Sequence, residues 1–171
     1  MMNLKIYHGS TFIVKQPNIE ILNYRSDFGK GFYTTTDLEQ AKKWTIIKKK
    51  RLEKEDNNKD IHQYVNIYEY TENKDLNILN FETATEEWLK FVFKNRQSDE
   101  LVHQYDIVIG PVADDNLYQV LVSYENGIYD MEETIKRLKT YVLSNQISFH
   151  TLKSLECIKY IETIEVGDGN E

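Results

Sequence analysis

Phe28-Gly29-Lys30-Gly31-Phe32-Tyr33-Thr34-Thr35-Thr36-Asp37-Leu38, continued as Glu39-Gln40-Ala41-Lys42-Lys43-Trp44, is the stretch on which the fold turns. Asp27 to Gly31 holds two glycines that accept positive φ, and it reads as a tight turn. Phe32 to Thr35, aromatic then β-branched, reads as a strand leaving that turn. Thr36 and Asp37 are both N-cap residues with Glu39 or Gln40 three positions on, which predicts a helix start. The helical stripe runs through Leu38, Ala41, Thr45 and Leu52, or through Ile46 and Ile47. Lys48 to Arg51 is expected near the C-terminal end, where cations suit the helix dipole.

Working outward, Leu4 to His8 reads as a strand broken by Gly9. Gln63 to Tyr70 alternates, with Tyr64, Asn66, Tyr68 and Tyr70 on one face and Val65 and Ile67 on the other. Leu76 to Leu79 is a further candidate strand. Thr83 to Arg96 reads as a helix with Trp88, Phe91 and Val92 inward, and Asp106 to Val112 as a buried strand ended by Gly-Pro. Asn116 to Glu125 and Met131 to Leu143 predict two helices with Gly127 as a C-cap between them. Gln146 to His150 and Leu155 to Val166 return to strand. Strands and helices mixed without βαβαβ regularity predict an α+β fold.

The 171 residues suit one domain, residues 1–171, with no repeat and no Pro/Gly-rich linker. A net charge of −7 disfavours broad nucleic-acid or anionic-membrane binding. The single cysteine, Cys157, excludes an intramolecular disulfide and, within LECIKYI, reads as a packed thiol. No apolar run reaches transmembrane length and the first residues lack a signal-peptide core, so a cytoplasmic protein without membrane attachment is expected.

Three short motifs offer chemistry. In Tyr7-His8-Gly9-Ser10, a histidine ends a strand and the bare glycine lets a ligand approach backbone N–H and C=O, the donor and acceptor a carboxamide needs. A structural histidine beside a turn glycine is the alternative. Tyr33 and Trp44 are two aromatics placed to sandwich a flat heteroaromatic ring, or Trp44 is simply core. Gln146, opening a late strand, can hydrogen-bond a sugar hydroxyl but cannot act as a base. Arg25, just before the glycine turn, suits a pyrophosphate or is a solvated loop charge. Asp114, Asp115 and Asn116 read as a loop and helix cap before a metal site. His62, His103 and His150 have no metal-ligand spacing, so no metal is expected.

Residues 6–10, 28–44 and 145 to about 161 together resemble the ADP-ribosyltransferase superfamily, in its diphtheria-toxin and poly(ADP-ribose)-polymerase branch with a His-Tyr-Glu triad. His8-Gly9-Ser10 resembles the nicotinamide-binding first motif, and FGKGFY resembles the polymerase FGKGIY strand. NQISFHTLKSLECIKYI resembles the final strand region, where that branch has Asn-Glu. The pattern is also similar to a group of small bacterial proteins of that superfamily, some encoded like toxins of toxin–antitoxin pairs.

The resemblance implies an ADP-ribosyltransferase-like split mixed β-sheet core with flanking helices, and NAD as co-substrate. His8 would hold a ribose hydroxyl, Gly9 and Ser10 the carboxamide, and Tyr33 would stack on nicotinamide, with Gly31 in the turn and Trp44 as a second face. Gln146 stands where the branch has its catalytic glutamate; losing that charge beside a developing cation costs about 2–4 kcal/mol. Polymer growth is therefore not expected. The implied activity is mono-ADP-ribosyl transfer to an unidentified protein or nucleic-acid acceptor, by a toxin-like effector with an antitoxin protein as a possible partner. NAD glycohydrolase activity and a catalytically inactive NAD- or ADP-ribose-binding module are the alternatives.

Overall fold

A computed structural model describes residues 3–19, 26–56, 60–98, 100–101, 103–113, 115–141 and 143–167. In chain order these form β1 (Asn3–Ser10), β2 (Phe32–Thr34), α1 (Leu38–Asp56), β3 (Tyr64–Thr71), β4 (Ile78–Asn80) and α2 (Glu86–Arg96). Then follow β5 (Ile107–Pro111), α3 (Asp115–Glu125), α4 (Met131–Leu138), β6 (Asn145–Phe149), α5 (Leu152–Leu155) and β7 (Ile158–Glu165). The strands divide into two sheets, ordered β1-β3-β7 and β2-β6-β5-β4. The first is antiparallel; the second is mixed, because β4 runs parallel to β5. The result is a mixed α+β fold with a split β-sheet and flanking helices.

Strand alternation accounts for the layering. On β3, Tyr68 and Tyr70 join Ile6, Phe32, Ile107, Ile147, Phe149 and Cys157 in a core between the two sheets. Val65 and Ile67, on the opposite face of β3, pack instead with Ala41 of α1. The far face of the second sheet is covered by α2, α3 and α4 through Trp88, Leu89, Val92, Leu117, Leu121 and Leu138. Helix, sheet, sheet and helices therefore stack in that order. Cys157 is buried and free, and burial pushes its thiol pKa up.

Asn66 is among the buried polar residues within this pattern. Its amide donates to the Phe12 carbonyl at 3.1 Å, and its oxygen accepts from the Val14 N–H and the Thr163 hydroxyl. With the Tyr68 hydroxyl donating to the Val14 carbonyl, this ties the segment after β1 onto β3.

Several expected boundaries moved. Gly9 does not break β1, which continues to Ser10. Helix α1 runs to Asp56, so Lys48 to Arg51 sit within it rather than at its end. Helix α4 stops at Leu138 rather than Leu143, capped where the Lys139 N–H bonds back into the last turn. A short helix, α5, precedes β7, which starts at Ile158 rather than Leu155. No helix among the described residues is long and apolar enough to cross a membrane.

Candidate functional site

The site is built on an interrupted ladder between β1 and β2. Tyr7 and Thr35 exchange both main-chain hydrogen bonds, at 2.8 and 2.9 Å, and form an isolated bridge. Main-chain groups alternate in direction along a strand, so Gly9 and Tyr33 turn their N–H and C=O toward the same gap. Side chains, not strand pairing, take up the two carbonyls. His8 Nδ1 lies 2.7 Å from the Tyr33 carbonyl, and Lys48 Nζ donates to the Gly9 carbonyl at 2.7 Å. A carbonyl only accepts, so His8 carries its proton on Nδ1 in this contact. The His8 ring is buried between the sheets, stacked on Phe32 with centroids 4.1 Å apart.

The turn that carries β2 away from β1 is fastened one carbonyl at a time. The Phe28 carbonyl accepts from His103 Nε2 at 2.8 Å, the Gly29 carbonyl from the Tyr33 hydroxyl, and the Lys30 carbonyl from His150 Nδ1 at 2.8 Å. The Tyr33 oxygen in turn accepts from the Phe28 N–H at 3.1 Å. Gly29 has φ +88, and a Cβ on Gly31 would lie 2.6 Å from the Phe149 carbonyl and 2.7 Å from His150 Nδ1. Both glycines are thus required, one for its backbone and one for the close approach of β6.

These contacts also set the protonation states. Burial, then the Asp27 charge, pushes the Tyr33 phenol well above its usual value. Burial, then the neighbouring His103, outweighs the Lys30 contact and lowers His150 to about 4. Burial lowers His103 as well. With Nδ1 of the neutral His150 donating, Nε2 only accepts, and the one Ser148 hydroxyl proton is shared between Nε2 at 2.8 Å and the Val108 carbonyl at 3.1 Å.

Strand register puts Tyr33 opposite Ser148 and Gly110 opposite Gln146, so Tyr33, Ser148 and Gln146 share the helix-facing side of the second sheet. Gln146 is 3% exposed. Its Nε2 donates to Asp27 Oδ2 at 2.9 Å and to the Pro111 carbonyl at 3.2 Å. Asp27 Oδ1 receives Arg96 Nε at 2.9 Å and Nη2 at 2.6 Å, while Oδ2 also receives the Ala113 N–H at 2.9 Å.

The structure therefore joins His8 to Tyr33 through the latter's carbonyl, and sets Gln146 on Tyr33's face of the sheet. Ser10 is buried, its hydroxyl accepting from the Phe12 N–H at 3.2 Å. The space a Gly9 side chain would need is filled by α1: a Cβ there would lie 2.1 Å from the Ala41 carbonyl oxygen and 3.1 Å from Trp44 Cβ. Trp44 is half-buried on that helix, on the opposite side of β1 from the His8 ring. Arg25 and Asp114 lie outside the described residues.

Sequence reasoning did not single out Asp27, Arg96, Ser148, His103 or His150 for this site. In the sequence the two histidines read only as candidate metal ligands, and Asp27 only as part of a turn. A carboxylate two residues before the first turn glycine, facing an amide on a late strand, leaves no local pattern to find. Two surface depressions adjoin the region without coinciding with it, one lined by Phe12, Ile13, Leu52 and Tyr64, the other by Phe91, Asn95, His103 and Tyr105.

Residues 4–160, which include all of these side chains, match the family described as a protein of unknown function, DUF3990. The chain belongs to the DUF3990 family. Neither the curated proteins nor the solved structures contain a match.

The chemistry available to this DUF3990 chain follows from the groups just placed. Tyr33 keeps its proton and His150 stays neutral at ordinary pH, so neither serves as a charged catalyst there. Among the described residues no cluster of His, Cys, Asp or Glu could hold a metal ion. Main-chain groups of Gly9 and Tyr33 border the gap, while the Gln146 amide lies on the neighbouring strand β6 with its NH2 held by Asp27 and the Pro111 carbonyl.

Proposed function

We propose that this DUF3990 chain is an NAD-dependent mono-ADP-ribosyltransferase on an ADP-ribosyltransferase-like fold. The observation that carries the reading is the ladder interrupted at Gly9 and Tyr33, with His8 fastened across it. Its N–H edge suits the carboxamide oxygen of nicotinamide, and Gln146, on the Tyr33 face of the neighbouring strand, suits a ribose hydroxyl. The bond from ribose C1′ to nicotinamide breaks with its electron pair leaving on nicotinamide; the acceptor's lone pair then adds to C1′ and its proton passes to solvent. Holding and orienting the reactants is the main contribution open to such a site. Gln146 brings no charge to the developing cation, which fits a slow single transfer and not chain growth. A toxin-like role with a neutralising protein partner belongs to the same proposal, as does a protein or nucleic-acid acceptor.

The neutral Gln146 specifically favours one second reading, a module that binds NAD or ADP-ribose without turnover. Incubation with adenylate-labelled NAD and cell lysate separates them, using wild type and His8→Ala with thermal melts to confirm folding. Label on a macromolecule with free nicotinamide, lost in the variant, is the expected result. Free ADP-ribose alone would indicate a glycohydrolase, binding without nicotinamide release the module, and no binding would remove the NAD reading.

A further inference from the structure

The Gln146 amide is not free to turn. Both partners of its Nε2, the Asp27 carboxylate and the Pro111 carbonyl, only accept hydrogen bonds, so the NH2 group must face them. Its Oε1 accepts no hydrogen bond among the described residues, although the residue is almost wholly buried. Asp27 is fixed in its turn by Arg96 and by the Ala113 N–H, a donor set drawn from α2 and from the chain after β5. Trp88 Nε1 donates to the same Pro111 carbonyl at 3.1 Å and braces the second partner.

We propose that Asp27 is a positioning residue that aims the Gln146 carbonyl oxygen, so that position 146 offers a ligand one acceptor and no donor. The ligand group this selects is a hydroxyl that donates, which on the NAD reading above, on which this inference rests, is a ribose hydroxyl. Gln146 is then not a glutamate lost from an otherwise competent site. A carboxylate at position 146 would face the Asp27 carboxylate across the 2.9 Å now spanned by an N–H, with no hydrogen between them. The acidic group here stands at position 27, and the two positions have to be read as a pair.

Dissociation constants for NAD and for its analogue lacking the 2′-hydroxyl on the nicotinamide ribose provide the test, measured by calorimetry on folded wild type, Asp27→Asn and Gln146→Glu. Wild type should prefer NAD by about tenfold, the size of one hydrogen bond to a buried acceptor. Asp27→Asn should lower that ratio toward one, because the Pro111 carbonyl is then the one obligate acceptor left to hold the Gln146 NH2 group. A merely structural role for Asp27 would weaken both ligands alike and keep the ratio, which would overturn the proposal. If Asp27→Asn does not fold, Gln146→Glu decides: nicotinamide release falling supports the proposal, and release rising above wild type overturns it. Should wild type bind neither dinucleotide, the NAD reading fails and the pairing is judged by melts alone. Asp27→Asn should then lower the melting temperature of wild type but raise that of Gln146→Glu; lowering both would overturn the pairing.

Discussion

Gly9 and His150 illustrate how single positions hold this molecule together. At Gly9 the obstacle to any side chain is the main-chain oxygen of Ala41, which cannot rotate aside. Gly9→Ala should cost about 3 kcal/mol, the upper range for overpacking, read as a lower urea midpoint with unchanged slope. His150 has a folded-state pKa of about 4, below the usual histidine value. Its contribution is therefore complete above the unfolded value and is lost as pH falls toward 4, where the imidazole must charge while buried. Urea unfolding should show about 2 kcal/mol less stability at pH 5 than at pH 7 from this residue. His103, shifted the same way, adds to the loss. In His150→Asn the slope between those two pH values should flatten, whatever the absolute stability.

The helices show what caps do and where sequence reading succeeds. Thr85 accepts the Trp88 N–H at 3.2 Å and sets the start of α2, whose Arg96 reaches Asp27 from the other end. Thr85→Ala should cost about 1 kcal/mol, measured by thermal or urea unfolding. The Asp37 cap of α1, whose carboxylate accepts the Glu39 N–H, the alternating faces of β3 and the buried run of β5 were legible because each is written in neighbouring residues. The far end of α1 was not, because Glu53 to Asp56 continue the helix without an apolar residue to mark it. His8, Tyr33 and Gln146 stood out as motifs, but their fastenings did not. Asp27 meets Arg96 across 69 residues, His103 meets Phe28 across 75, and Gln146 meets Asp27 across 119, distances over which no periodicity carries information.

At the scale of the whole molecule, two sheets share one apolar layer while the hydroxyl of Tyr33 is buried behind the second. Tyr70, within the shared layer, is raised to about 12 by burial, and Tyr33 is also raised. A raised phenol keeps its full contribution below the unfolded value near 10 and loses it as pH climbs past that value. Circular dichroism should therefore show alkaline unfolding beginning above about pH 10, with a shallower onset in Tyr33→Phe. Strand β6 lies between β2 and β5 in its sheet, yet it is made long after either. The Lys30 carbonyl must wait for His150, 120 residues further along. While the chain leaves the ribosome its first two strands stand beside an empty slot, and the site can close only after β6 has emerged. A chain cut short anywhere before Asn145 has neither a finished second sheet nor a Gln146.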